Sequence, residues 1–525
     1  MNLKLVAYNL GIVCLLIAIA MVFSLVWALP CFGGDWMYEM HGVSGLIISM
    51  LTALICGGAF LNYGYEGRTA TLFRREAIAV VGLSWLVAVI LGSLPYLFSE
   101  TGRDAILNAD GTVTIVPMSV ADALFESVSG FTTTGASIMG ELENPAVISR
   151  CVLFWRSTTH FIGGLGIIVL LVALLDTGIS GKSLVQREMS GPKQSTQYYS
   201  RIQGIVRRTA SVYLIFNVVL IGLLIGAGMS VFDAICHAFG TISTGGMGTH
   251  NTSLIYFQTV PSVNAAMVEW SMGIFLFLSG MNILLLSYFM TRKFRYLFQS
   301  VEWRMYVIMV VLVTASVCYL RYSPELGLSK TIRYSFFEVV STCTTGGFAC
   351  DDYTLWLPQA QAFIMLLMAF TACSGSTCGG PKCWRYIVLY KMIRAESERF
   401  YRPNDVRPIK FNGEVMINNT LTYSVALYFA MAGACIGISW MLLMLFEPNT
   451  PWLHCAATES KAGDLFVATV SQFSNVGPGL GVFGPMNSYG FLSSTSKCIL
   501  ALNMLIGRLE FFGILTLLLP SFWRK

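Results

Sequence analysis

The sequence predicts an all-α polytopic membrane protein built from four pseudo-symmetric helix–loop–helix repeats, with two extra N-terminal transmembrane helices. Three observations predict it. Hydrophobic residues make up 55% of the chain and charged residues only 12%, about half the charge of a soluble domain. Four short stretches of hydroxyl residues and glycine recur: Phe131–Ser137, Thr241–Gly246, Thr342–Gly347 and Phe473–Pro478. Finally, every second connector between apolar runs is basic.

Taken in order, the chain opens with two apolar runs, 5–29 and 42–64, each near the ~20 residues a helix needs to cross a bilayer. The first could pass for a secretory signal, but it is longer than a signal core and a second span follows at once, so it is read as a retained helix. A basic connector with Arg68, Arg74 and Arg75 follows. The repeats then use spans near 76–98 and 148–176, 209–229 and 265–291, 305–321 and 358–394, and 415–446 and 490–520. Each pair encloses a short apolar segment, at 123–128, 234–239, 336–340 and 465–470, too brief to span. The implied units are 1–67 for the two leading helices, then pore repeats at 68–182, 183–296, 297–410 and 411–525.

The charges orient these units. Lys182, Arg187, Lys193, Arg201, Arg207 and Arg208 follow the first repeat, and Arg292, Lys293, Arg295 and Arg304 the second. Arg394, Arg399, Arg402, Arg407 and Lys410 follow the third, and Arg524 and Lys525 close the chain. The positive-inside rule puts these connectors and both termini in the cytoplasm, so the short segments enter from outside. Acidic residues on the outer side (Glu141, Glu143, Asp351, Asp352, Glu447, Glu459 and Asp464) form a pattern that raises local cation concentration.

Irregular backbone at membrane depth is tolerated only where it is buried or lines a water-filled path. A half-helix ending there directs the negative end of its dipole at whatever lies beyond. Glycine lets the following backbone turn carbonyls toward an axis. Four such loops about one axis make a helix–pore loop–helix protein whose oxygens replace the water of a bare monovalent cation. Aligned on Gly135, Gly245, Gly346 and Gly477, the candidate oxygens belong to Thr133, Thr134, Gly135, Ser243, Thr244, Gly245, Thr344, Thr345, Gly346, Asn475, Val476 and Gly477.

Two further features sit at membrane depth. Ser374, Gly375, Ser376, Thr377, Gly379, Gly380, Pro381 and Lys382 interrupt the second span of the third repeat. Glycine and proline there cannot continue a helix cheaply, so the segment is a candidate gating loop; the alternative is a helix end and surface turn. Arg508 stands in the last span, where an ionisable residue implies a partner or a water path. It is a candidate barrier below the loops, or else packs with Glu510.

Other classes are poorly supported. Fourteen cysteines lie scattered, many within spans, as small apolar fillers rather than a disulfide framework. Cys373, Cys378 and Cys383 match no common zinc spacing. The five histidines form no HExxH pair and no complete Gly-x-x-x-x-Gly-Lys-Ser/Thr phosphate-binding loop is present, so no enzyme is indicated. A net charge of +5 does not suggest nucleic acid as a partner.

Phe131–Ser137, Ser243–Asn251, Thr344–Ala349, Asn475–Gly481, the break at 374–382, Phe154-Trp155-Arg156, Gly163–Gly166, Gly507–Glu510 and Pro520–Arg524 resemble the Trk/Ktr/HKT potassium transporter superfamily. The two leading spans favour its bacterial TrkH-type branch. The resemblance implies K⁺ as transported ion at the filter residues, one filter glycine per repeat, a gating loop in the third repeat and Arg508 below the filter. It further implies a bacterial inner-membrane location, a homodimer and a cytoplasmic TrkA-type nucleotide-binding RCK ring, with no covalent cofactor. Pro381 and the Asn475-Val476 pair depart from the family pattern. The expected activity is K⁺ uptake driven by the membrane potential, with Na⁺- or H⁺-coupled symport as the alternative.

Overall fold

The computed structural model describes residues 1–70, 73–107, 113–175, 202–290, 295–402, 410–411, 414–415, 419–453 and 460–524. Asp176, Lys182, Arg187, Lys193, Arg201, Arg292, Lys293, Arg407, Glu459, Lys525 and the proposed 182/183 boundary lie outside them. Helices α1 (Leu3–Leu25) and α2 (Trp36–Gly64) pack along each other and against α3 (Arg74–Phe98). A two-stranded antiparallel hairpin, β1 (Gly102–Leu107) with β2 (Val113–Pro117), follows.

From α3 onward the chain runs through the same unit four times. The first is α3, a half-helix α4 (Val120–Phe131) and α5 (Arg150–Leu175). The second is α6 (Ile202–Gly226), α7 (Val231–Ile242), α8 (Ala265–Ser279) and α9 (Ile283–Met290). The third is α10 (Val301–Arg321), α11 (Gly327–Cys343), α12 (Pro358–Ala369) and α13 (Cys383–Tyr401). The fourth is α14 (Asn419–Phe446), α15 (Lys461–Ser474), α16 (Ser494–Arg508) and α17 (Phe512–Leu518). Among the described residues, six helices are long and apolar enough to cross a membrane: α1, α2 and the first span of every repeat.

The second spans differ from the continuous helices expected. Only the break after Ala369 was anticipated; the structure adds breaks between Ser279 and Ile283 and between Arg508 and Phe512. At the first, a Cβ on Gly280 would lie 2.6 Å from the Tyr306 hydroxyl and 2.8 Å from Thr344 Cγ2. The Gly280 carbonyl leaves its helix to accept Cys373 N–H at 3.1 Å. At the second, Glu510 and Phe511 take left-handed backbone, φ 52° and 62°, which a side chain adopts only when its surroundings hold it there.

Sequence explains where the half-helices begin. Ser119 caps α4 and exchanges bonds with Asp122, and Ser230 caps α7 beside Asp233; α15 carries Asp464 in its first turn. Carboxylates at these ends match the positive end of the helix dipole. The opposite ends converge in the interior.

Buried polar links fasten neighbouring repeats. Lys497 of α16 meets Asp122 of α4 at 2.6 Å, both side chains 2% exposed. Arg156 of α5 pairs with Glu126 at 2.6 Å and donates to the Gly248 carbonyl of the second repeat at 2.8 Å. Arg333 meets Glu269 at 2.5 Å, joining the second and third repeats, and Arg385 meets Glu510 at 2.5 Å, joining the third and fourth. The chain's ends share one side: Asn2 N–H donates to Glu76 at 3.0 Å, and Arg75 to the Ser521 and Arg524 carbonyls at 2.8 Å.

Breaking one buried partner strands the other charge, at a cost of about 3–5 kcal/mol. Lys497→Met therefore lowers the thermal unfolding midpoint of the detergent-solubilised protein. Lys497→Met combined with Asp122→Asn recovers most of that loss. A double variant no more stable than Lys497→Met alone would contradict the pairing.

Candidate functional site

The four half-helices end in one motif. Thr133, Thr244, Thr345 and Asn475 all take left-handed backbone, with φ of 53°, 56°, 56° and 58°. The next residue's N–H reaches back to the carbonyl five positions earlier: Thr134 to Ser129 at 2.9 Å, Gly245 to Gly240 at 2.7 Å, Gly346 to Ser341 at 2.6 Å and Val476 to Ser471 at 2.9 Å. The left-handed residue itself donates three back, Thr133 to Gly130 at 3.1 Å and Asn475 to Gln472 at 3.2 Å, with the same bond in the other two. This is the Schellman ending, normally glycine's. Here threonine and asparagine are held in it four times, and buried, so the loops impose a conformation that local preference would not choose.

One residue further on, the chain turns again at glycine. Gly135, Gly246, Gly347 and Gly477 have φ of 83°, 85°, 66° and 98°. The alignment in the sequence is corrected here: Gly246 and Gly347, not Gly245 and Gly346, are the counterparts of Gly135 and Gly477. Two adjacent glycines left the register open. The hydroxyl column Thr132, Ser243, Thr344 and Ser474, counted forward three places, carries the signal that resolves it. In three loops that hydroxyl bonds its own helix: Thr132 to Val128 O at 2.7 Å, Ser243 to Phe239 O at 2.6 Å and Thr344 to Val340 O at 2.7 Å.

In this register the loops close on one another. A Cβ on Gly135 would overlap the carbonyl oxygen of Gly245. One on Gly246 would lie 2.7 Å from the Gly346 carbonyl oxygen, and one on Gly347 2.9 Å from that of Val476. One on Gly477 would overlap the carbonyl oxygen of Thr134. First to second to third to fourth and back to first, each glycine rests on the next loop's carbonyl. The contact is possible only without a side chain. The sequence-derived residues are therefore brought together at one place, all four loops included.

The loops are not equivalent. The Gly477 carbonyl accepts from Gln472 Nε2 at 2.8 Å and the Tyr489 hydroxyl at 2.9 Å. Asn475 Nδ2 donates to Thr134 Oγ1 at 2.9 Å and to the Met504 carbonyl at 3.0 Å. Asn475 thus ties the fourth loop to the first and to α16.

On one side of the ring lies a vestibule of about 90 Å³ whose wall includes Gly135, Gly246, Gly347 and Pro478, one residue from each repeat. Arg156 also faces it, neutralised by Glu126. The acidic mouth expected here is smaller than the sequence suggested. Glu141 and Glu143 hold Asn251 beside the vestibule. Asp351 pairs with Arg321. Glu447 and Asp464 are buried, accepting from Ser493 and from Trp452 at 3.1 Å. Those two are structural acceptors and not part of a solvated mouth.

The other side is filled by the segment between α12 and α13. Its neck is closed by Thr371 Oγ1 donating to the Pro381 carbonyl at 2.9 Å and Cys383 N–H to the Ala372 carbonyl at 3.2 Å. Gly375 and Gly380, φ 67° and 68°, bracket its tip. Gly379 N–H donates to Thr345 Oγ1 at 3.1 Å. A Cβ on Gly379 would sit 2.5 Å from that of Asn475, and one on Gly380 2.7 Å from the Ser474 carbonyl oxygen. The tip is packed directly against the ring's underside, at depth, so a surface turn is the wrong description of it.

Two cations hold this tip. Lys382 Nζ donates to the Cys378 carbonyl. Arg508 donates to the Thr377 carbonyl at 2.8 Å and to the Gly163 carbonyl at 3.4 Å. Arg508 and Glu510 do not pack together as a pair: Glu510 turns away to Arg385, which lies 4.0 Å over the Tyr428 ring. The break at Leu509 separates the two side chains, and a span read as continuous gave no sign of it.

Comparison with known proteins agrees with this geometry. Residues 100–525 match a family model described as "TrkH: Cation transport protein". The "Trk system potassium uptake protein TrkH" of Escherichia coli (strain K12) is 34% identical over 476 residues, 89% of this chain and 90% of that one. Its counterpart in Halomonas elongata is 30% identical over 531 residues, covering both chains completely. The crystal structure of the potassium transporter TrkH from Vibrio parahaemolyticus superposes with a TM-score of 0.81 at 26% identity, over 100% of both chains. Four repeats closing on one ring, with a family match that runs from residue 100 through all four ring loops to residue 525, place this multi-pass membrane protein in the TrkH family of cation transport proteins.

Proposed function

We propose that the chain is a potassium uptake subunit of a bacterial inner membrane, with both termini in the cytoplasm. K⁺ enters from the vestibule, exchanges water for the oxygens of the four loops, and leaves past the segment beneath them. The observation that carries this reading is the closed ring, in which Thr134, Gly245, Gly346 and Val476 each present a carbonyl against the glycine of the preceding loop. Thr133, Thr134, Gly135, Ser243, Thr244, Gly245, Thr344, Thr345, Gly346, Asn475, Val476 and Gly477 form the filter, with Gly246 and Gly347 added. Carbonyl dipoles, backed by the negative ends of four half-helices, favour a monovalent cation that sheds its water easily.

The membrane potential supplies the driving force. One charge crossing 100 mV gains about 2.3 kcal/mol, sufficient to concentrate K⁺ without a coupled ion. Ser374, Gly375, Ser376, Thr377, Gly379, Gly380 and Lys382 act as the gate, and the conformation described is the closed one. Arg508 is the barrier and the latch: its charge opposes a cation below the filter while its guanidinium holds the Thr377 carbonyl. The homodimer and the cytoplasmic TrkA-type nucleotide-binding ring rest on the family resemblance. In support of a cytoplasmic partner, α13 ends with Phe400 95% and Tyr401 65% exposed, next to Arg399 and Arg402.

Flux into liposomes holding the purified chain tests the filter. Rb⁺ enters well and Na⁺ poorly, and no second ion gradient is needed; uptake that depends on a Na⁺ or H⁺ gradient would instead establish symport. Register is tested by paired substitutions. Gly347→Ala places a side chain at φ 66° against the Val476 carbonyl, whereas Gly346→Ala meets chiefly the flexible end of Leu276, with the Ser341 carbonyl oxygen 3.2 Å away. With about 1–3 kcal/mol of backbone strain, Gly347→Ala reduces K⁺ flux by tenfold or more and Gly346→Ala by much less. The reverse order would refute the register.

Arg508→Ala removes a charged donor from the Thr377 carbonyl. The closed gate loses roughly 1.5–3 kcal/mol relative to the open one. Basal Rb⁺ flux through the isolated chain rises about tenfold or more. Unchanged or lower flux in a well-folded Arg508→Ala protein would remove Arg508 from the gate.

A further inference from the structure

We infer that Glu302 is a positioning residue for the gate: it anchors the stationary base on which the loop tip turns. This rests on reading the 374–382 segment as the gate. Glu302 lies in the first turn of α10, which Ser300 caps, 72 residues before the loop it touches. It is 7% exposed. One carboxylate oxygen accepts Ser374 N–H at 2.6 Å, and the other accepts the Ser374 hydroxyl at 2.8 Å. Both oxygens of one buried carboxylate thus accept from Ser374, and the Trp384 backbone N–H at the start of α13 also donates to it. A carboxylate accepting two donors at these distances makes bonds about twice as strong as neutral ones.

Its position relative to the glycines identifies what it does. Gly375 and Gly380 have left-handed backbone and bracket Ser376 to Gly379, the part packed beneath the filter. Ser374 stands on the outer side of the Gly375 hinge. Two more bonds converge on the same base from the break in the second repeat: Cys373 N–H to the Gly280 carbonyl at 3.1 Å, and Ile283 N–H to the Gly375 carbonyl at 3.0 Å. The tip, by contrast, is held by side chains that can let go, Arg508 on Thr377 and Lys382 on Cys378. The base is fixed and the tip is latched.

Glu302 also ties the base to the helical turn that leads into α10. The helical turn Arg295–Gln299 runs through Ser300 directly into α10, and Phe298 on it is 70% exposed. Displacing this turn moves Glu302, hence Ser374, hence the hinge. The connector between the second and third repeats is therefore mechanically joined to the gate without passing through the filter.

Single-channel recording of the full chain in planar bilayers tests this. Glu302→Ala raises opening frequency roughly tenfold, because a base no longer held in place seats the tip poorly on Arg508 and Lys382, the contacts made only in the closed state. Single-channel current and the Rb⁺/Na⁺ ratio stay at wild-type values, which a general loosening of the fold would not leave intact. Glu302→Gln, retaining one acceptor oxygen, falls between. Ser374→Ala raises opening less and adds nothing to Glu302→Ala; it also keeps the test open should Glu302→Ala not fold. Wild-type opening in both Glu302→Ala and Ser374→Ala, or a changed ion ratio, would overturn the assignment. A chain lacking 376–379 separates the two readings. If it stays as quiet as wild type, the gate reading itself fails; if it opens freely while Glu302→Ala does not, only the role of Glu302 fails.

Discussion

Everything in this molecule depends on four backbone turns meeting without side chains between them. Each loop's glycine lies against the next loop's carbonyl, and the cycle closes only if all four half-helices end at the same depth and in the same conformation. That requirement explains features far from the ring. The Schellman endings fix the direction in which each chain leaves its half-helix. Capping serines and first-turn carboxylates fix where α4 and α7 begin. The buried pair Lys497–Asp122 and the partly buried pairs Arg333–Glu269 and Arg385–Glu510, with Arg156 on Gly248, fix neighbouring repeats against each other. Apolar packing alone, in a membrane, has little power to set such registers because lipid is as apolar as the helices.

The pseudo-symmetry is broken where function needs a direction. Among the described residues only the third repeat carries a long insertion in its second span, and that insertion folds under the ring. The breaks in the second and fourth repeats make room for it: Gly280 offers a carbonyl to Cys373, while the turn after Arg508 frees that side chain to reach Thr377. The fourth loop departs too, with Asn475 bridging to Thr134 and α16, and its Gly477 carbonyl held by Gln472 and Tyr489. One repeat supplies the plug, two supply its seat, and the first, through Gly163, shares Arg508.

Much of this was legible in the sequence. Apolar runs of membrane length, four Ser/Thr–Gly stretches after segments too short to span, and the glycine-rich interruption at 374–380 identified the architecture and brought the right loops together. What escaped detection was local geometry set by tertiary contact. Adjacent glycines at 245–246 and 346–347 hid a one-residue register shift, because either can adopt φ > 0 and the deciding carbonyl belongs to another loop. The break after Arg508 carries no glycine or proline at Glu510 or Phe511, so nothing in the chain announced it. Glu447 and Asp464 looked like surface acids because their acceptor roles depend on Ser493, Trp452 and neighbouring backbone. Glu302 gave no signal at all; its partner Ser374 lies 72 residues on, in the second span of the same repeat.

The central claim is that the four-loop ring is a cation site, and anomalous diffraction from crystals grown in Rb⁺ or Tl⁺ tests it most directly. The account predicts an anomalous peak on the axis of the ring, within coordination distance of the Thr134, Gly245, Gly346 and Val476 carbonyl oxygens, that weakens as Na⁺ replaces the heavier ion. Peaks confined to the surface or to a single repeat, with the ring empty at saturating Rb⁺, would contradict it.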